Sequence, residues 1–150
     1  VHPRIQKEFY KGVPHRDAWA AVSGPWPAVY NGDIFTPEDA AALCRDYPGT
    51  DAVMLGRGLM RDPALLRRLR GGPAASAQEL RTYHDRLLEA YRHRLSGDQP
   101  VMHRMWELWA YLSAGFTQPE PYLKRMRKAK NLPEYRAAVD ALFREQRYTT

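Results

Sequence analysis

The chain carries one cysteine, Cys44, in 150 residues, so an internal disulfide cannot form and no cysteine pair has the spacing of a zinc site. No metal centre is expected. Apolar runs are short as well: none approaches the roughly 18 residues a bilayer crossing needs, and the opening VHPRIQKEFYKG lacks the apolar stretch of a signal peptide. Membrane association is therefore not expected, and the cytoplasm is the compartment that suits a lone thiol. Low-complexity tracts are missing too. Hydrophobic residues make up 44% of the chain against 27% charged, which excludes the composition of a disordered protein.

Positive charge is in excess, with a formal net charge of +6. Such an excess favours a polyanionic partner, because Lys and Arg that neutralise phosphates supply most non-specific nucleic-acid affinity. The excess leans toward the end of the chain. From Ser76 onward 13 Lys and Arg stand against 9 Asp and Glu, a net +4, whereas the first 75 residues hold 10 against 8, a net +2.

The two halves also differ in pattern. In the first, short β-like runs alternate with helical ones. PAVYNGD, residues 27–33, reads as a short buried strand closed by an Asn-Gly turn. A helix follows, with Thr36 as N-cap, Pro37 in the first helical position, and Glu38 and Asp39 at the positive end of the helix dipole. DAVMLGRG, residues 51–58, repeats the pattern, with a helix opening near Asp62 and Pro63. Two strand-loop-helix units in succession imply neighbouring parallel strands. Val1 and His2 read as the end of an earlier strand, with Trp19, Ala20 and Val22 on the helix after it.

Gly71, Gly72 and Pro73 break this pattern and mark a boundary between residues 1–72 and 73–150. Beyond it the sequence is helical only. Ser76 and Glu79 have capping-box spacing, and Leu80, Tyr83, Leu87, Leu88 and Tyr91 recur at helical intervals. Val101, Met105, Leu108, Trp109, Leu112 and Phe116 form one apolar stripe, widened by Met102 and Trp106. Both tryptophans are thus read as core anchors. Two shorter helices are expected over residues 120–129 and 133–143, completing a small four-helix bundle.

Two turns stand out chemically. Asn31-Gly32-Asp33 alone is an ordinary turn, but Gly56-Arg57-Gly58 ends the next strand, and adjacent strand ends commonly build a phosphate site. The amides of Gly32, Asp33, Gly56 and Arg57 are expected to share an anion, with Gly32 removing the side chain that would block it and Arg57 adding a cation. In the second half Lys124, Arg125, Arg127 and Lys128 share one arc of a helix, with Lys130 just beyond, while Tyr122, Leu123, Met126 and Ala129 occupy the other. Such a helix can dock its apolar side and offer its charges to phosphates, although a solvated charged face has the same pattern. Arg104 extends the patch.

VHPRI, Phe9-Tyr10-Lys11-Gly12, NGDI and MLGRG with Arg61-Asp62-Pro63, in this order and spacing, resemble the tRNA-dihydrouridine synthases, as does ELWAYLSAGF in the helical half. The resemblance covers essentially the whole chain. It implies the C-terminal part of a TIM (β/α)8 barrel followed by a helical tRNA-binding domain, an α/β plus all-α fold. It also implies FMN as cofactor, NADPH or NADH as reductant, and reduction of uridine in tRNA to 5,6-dihydrouridine. His2 matches the family's histidine beside the flavin and Arg4 an arginine that faces flavin or substrate, although Pro3 and Ile5 replace the usual Gly and Thr. Lys7, Tyr10 and Lys11 fall in the loop that would meet RNA.

The family's catalytic cysteine precedes the VHGRT-type strand, so no residue here matches it, and Cys44 is expected to be a small buried thiol. A complete barrel needs about 250 residues. The chain therefore reads as part of a longer protein, monomeric when whole, or as the product of a truncated gene, and in either case is not expected to turn over alone. Two other readings remain: a non-catalytic RNA-binding derivative, and another FMN-barrel oxidoreductase, against which the VHPR start and the basic helical tail both argue.

Overall fold

The computed structural model describes residues 1–9, 12–22 and 26–149. Tyr10 and Lys11, expected to face RNA, lie outside the described residues.

Three extended segments run side by side near the start. The Val1 amine donates to the Val29 carbonyl at 2.5 Å, and the Val1 carbonyl accepts from the Asn31 amide at 2.8 Å. On the opposite edge the Tyr30 amide donates to Ala52 O at 2.9 Å, and Tyr30 O accepts from the Met54 amide at 2.7 Å. Consecutive residues thus turn their polar groups to opposite edges, as in a parallel ladder. Tyr30 and Val53 form a parallel bridge, in the order the two βα units imply.

The pairing stops there, which corrects the expected strand content. Among the described residues the elements are helical, and the chain is mostly helix. The cause is local: Pro27 has no amide to give, and the Asn31-Gly32 turn begins one residue after Tyr30, leaving too little extended chain for a longer ladder. Burial is correspondingly narrow, with Tyr30 and Ile34 enclosed while Val29 is 42% exposed.

Four short helices surround these segments: α1 (Arg16–Ala20), α2 (Pro37–Asp46), α3 (Arg57–Arg61) and α4 (Leu65–Leu69). Helix α2 starts as its sequence dictates. The Thr36 hydroxyl accepts from the Asp39 amide at 3.2 Å, and the Asp39 carboxylate accepts in return from Thr36 N at 2.9 Å. The helix expected to open near Asp62 and Pro63 is α4, but a further short helix, α3, precedes it on residues read as the Gly56-Arg57-Gly58 turn, and Asp62 turns its carboxylate inward between the two. Its oxygens accept from the Ala64 amide at 2.9 Å and from Arg68 Nη1 at 2.8 Å. A small core of Trp19, Tyr30, Ile34 and Leu43 lies beneath. Trp19 packs edge-on against Tyr30 and donates its indole N–H to Thr50 Oγ1 at 2.8 Å. Ala20, by contrast, is exposed, and Val22 falls beyond the end of α1. Cys44 is exposed too, not buried as expected: Leu43 takes the inward position on α2, and the next residue is turned about 100° away.

The second half is built of α5 (Ala77–Arg94), α6 (Asp98–Leu112), a 3-10 turn at Ser113–Gly115, α7 (Glu120–Lys128) and α8 (Leu132–Glu145). Ser76 and Glu79 form the expected capping box on α5. Asn131 caps α8, accepting from the Glu134 amide at 2.9 Å. The α6 stripe is buried from Val101 through Met105 and Trp109 to Leu112, against Leu80 and Leu88 of α5, Met126 of α7 and Tyr135, Val139 and Leu142 of α8. The Trp106 indole N–H donates to Met126 O at 3.1 Å, which makes it a clamp between α6 and α7.

Inside this core lies a polar chain that the stripe pattern does not announce. The Trp109 indole N–H donates to the Tyr135 hydroxyl at 2.7 Å, so that hydroxyl must spend its own proton on His84 Nε2, 2.8 Å away. His84 therefore carries its proton on Nδ1 and donates to Asp85 at 2.8 Å. Burial holds the imidazole below the usual histidine range, with Asp85 pulling the other way. Burial likewise pushes the Tyr135 phenol up.

The halves meet closely. Helix α3 lies against α6 and the Ser113–Gly115 turn. Arg67 of α4 donates to Pro73 O at 2.9 Å and Ala74 O at 3.1 Å, and reaches Glu79 of α5 at 2.8 Å. That guanidinium holds the Glu79 carboxyl down at about 2.

Candidate anion-binding site

Because Tyr30 and Val53 sit on adjacent rungs, the turns that follow them emerge at the same end. Both line one cavity of about 270 Å³, with Asn31, Gly32 and Asp33 on one wall and Gly56, Arg57 and Gly58 on the other. His2 also lines it, brought there by the pairing of Val1 beside Tyr30. Of the seven residues read as cofactor contacts, only Arg4 lies behind the wall, its side chain 2% exposed.

The glycines divide the work differently from the sequence reading. A Cβ on Gly32 would lie 2.2 Å from the Tyr30 hydroxyl oxygen, so Gly32 is required by packing against that ring. It was expected to clear space for an anion. A Cβ on Gly58 would lie 2.1 Å from the Ile34 carbonyl oxygen, which is how closely α3 seats on the NGDI segment. Gly56 alone of the three faces open space, with no atom within 4 Å of an added Cβ. It leaves the cavity room for a ligand to approach backbone, and this position fits a phosphate group.

Arg57 does not simply add a cation. It pairs with Asp33 Oδ1, while Arg4 pairs with Asp33 Oδ2 and donates to Gly12 O at 3.0 Å. The Arg57 guanidinium also lies 5.8 Å from the centre of the Phe35 ring, and Arg61 lies 5.6 Å from it. The Asp33 carboxylate was missed as a structural element because the sequence reading used only its backbone amide. An acid set between two glycine turns expected to meet an anion was the available signal. Phe35, Met54 and Met60 also line the cavity; Met54 opens the MLGRG motif but, like the other two, carries no polar group that marks it as a site residue.

The basic residues of α7 lie as the helical wheel implies. Lys124, Arg125, Arg127, Lys128 and Lys130 are exposed, while Tyr122, Met126 and Ala129 are buried. Arg104 is exposed on α6 and paired with Glu107 at 2.9 Å, and Lys7 is exposed on a 3-10 turn at Gln6–Glu8. No helix of the described residues is long and apolar enough to cross a membrane.

Paired extended segments deliver a glycine turn each to one arginine-bearing cavity, and helices with an exposed basic face follow them. Residues 1–146 match the family model described as dihydrouridine synthase (Dus), and the chain belongs to that family. It is 30% identical over 149 residues to a tRNA-dihydrouridine(16) synthase of Cupriavidus necator, covering 89% of this chain and 46% of that protein. A tRNA-dihydrouridine(16) synthase of Neisseria meningitidis is 24% identical over 153 residues, 97% of this chain and 46% of that protein. Over 71 residues, 46% of this chain, it is 39% identical to a tRNA-dihydrouridine synthase B of Shewanella oneidensis, covering 22% of that protein. The chain thus spans less than half the length of these curated relatives.

Proposed function

We propose that this chain is the part of a flavin-dependent tRNA-dihydrouridine synthase that grips the FMN phosphate and carries the tRNA-binding helices. The observation that carries the reading is the shared cavity of the Asn31-Gly32-Asp33 and Gly56-Arg57-Gly58 turns, with Gly56 open to it. The amides of Gly56 and Arg57 would hold the phosphate from one side and those of Gly32 and Asp33 from the other, with His2 nearer the flavin ring. When bound, FMN supplies the hydride that reduces uridine in tRNA to 5,6-dihydrouridine, and NADPH or NADH restores it. Cys44, exposed on α2, takes no part.

Residues 1–72 belong in this reading to the end of a (β/α)8 barrel, and residues 73–150 form the RNA-binding module. The α7 charges face phosphates, because their apolar counterparts are already spent on the core. The relatives that align along most of the chain carry uridine 16 in their names, which favours that position as the target.

The test is on the full natural protein. Gly56→Leu puts a bulky side chain beside the cavity and should yield protein purified without bound FMN, read from the flavin absorbance. A Gly56→Leu protein that stays fully yellow would remove the phosphate reading of the cavity.

A further inference from the structure

A carboxylate in a pocket for an anion ought to weaken it, yet Asp33 lines this cavity with its side chain 22% exposed. Its two oxygens are divided between two arginines from different segments. Behind it stands Arg4, a guanidinium 2% exposed and anchored also to the Gly12 carbonyl at 3.0 Å. Before it stands Arg57, 20% exposed, which lines the cavity and rests on the Phe35 ring. The cluster as a whole keeps one net positive charge.

A guanidinium is planar and presents its N–H groups in fixed directions, so its value to a phosphate depends on which edge it shows. The long side chain of Arg57 would not hold one orientation unaided. We infer that Asp33 is a positioning residue: anchored from behind by Arg4, it fixes the guanidinium of Arg57 at the cavity wall, so that the pocket selects a phosphate by orientation and not by net charge. This rests on the phosphate reading of the cavity given above.

The inference reverses the sign that charge alone would give. Asp33→Asn adds one positive charge to the pocket, so a pocket working by charge would bind a phosphate more tightly after the change, and one working by orientation would bind it less tightly. The experiment titrates the full natural protein, stripped of flavin, with FMN and with riboflavin, which lacks the phosphate, following the quenching of flavin fluorescence. Native protein should prefer FMN. Asp33→Asn should lose about tenfold of that preference, the scale of a charge-assisted hydrogen bond, while riboflavin affinity stays near native. FMN affinity that is equal or tighter in Asp33→Asn, with native preference intact, would overturn the role given to Asp33 alone. A native protein that binds both flavins equally would overturn the phosphate reading itself. If Asp33→Asn weakens both flavins together, Arg57→Lys decides: it keeps the charge and loses the planar fork, so a reduced FMN preference supports the inference and an unchanged one overturns it.

Discussion

The helical half and the pocket half of this chain are held together in different ways. Residues of α5, α6, α7 and α8 bury a continuous core around Trp109, Met105, Met126 and Leu142. The pocket half rests on Trp19, Tyr30, Ile34 and Leu43, and leaves Trp26, Val13 and Phe9 largely exposed. Hydrophobic burial scales with apolar area, so the first is expected to carry its own stability and the second to draw on its neighbour. The precise geometry, however, is in the weaker half, where Gly58 and Gly32 fit against Ile34 and Tyr30 with no room for a methyl group. The glycine-turn cavity and the larger core thus lie in separate parts of the chain.

The sharpest way to break this comparison is to cut it. Residues 73–150 alone should unfold cooperatively in urea, and Trp109→Ala, which empties a site 2% exposed, should cost that module about 3–5 kcal/mol. A non-cooperative urea curve for the excised module would mean that the helical half also leans on its neighbour.

The next effect is set by pH. His84 is held below the ordinary histidine range by burial, facing Asp85 and Arg81 from its own helix and Arg136 from α8. The unfolded chain therefore takes up a proton near pH 6.5 that the folded protein refuses. Stability should be complete above that value and fall as the pH drops below it, by up to about 1.4 kcal/mol per pH unit. Comparing urea midpoints between pH 7.5 and 5 in native and His84→Gln proteins checks this, since the variant should lose the slope. Equal slopes would place the titration elsewhere.

The smallest effect on stability is expected on the α7 face. Reversing Lys124, Arg127 and Lys128 to Glu touches only exposed positions and should change stability by no more than about 0.5 kcal/mol per site. The same triple change should weaken tRNA binding broadly and flatten its dependence on salt. Unchanged tRNA affinity across a salt series would reduce the patch to a solvated surface.

The sequence was most legible where local chemistry acts alone. Thr36 with Asp39, Ser76 with Glu79, and the apolar stripe of α6 needed nothing distant to be read correctly. Cys44 was misread because one residue of helical phase separates an inward position from an outward one. Gly32 was assigned the right place and the wrong reason, since its partner is the Tyr30 ring, reached only once the turn folds back on itself. His84 could have been found: it sits four residues from Leu80 and four from Leu88, on the buried face of α5. The pairing of Arg4 with Asp33 joins positions 29 residues apart and had no local signature.

The Arg67 contacts across residues 71–76 bear on how an RNA would be read. A linker with two glycines would ordinarily act as a hinge, but here one guanidinium staples the carbonyls of Pro73 and Ala74 and the carboxylate of Glu79 to α4. These contacts tie the pocket and the basic helix together across the linker, like the two jaws of one gauge. Under the proposed function, a folded nucleic acid spanning both would have to bring its target to the pocket by its own shape, and selection among targets would become a measurement of length and angle.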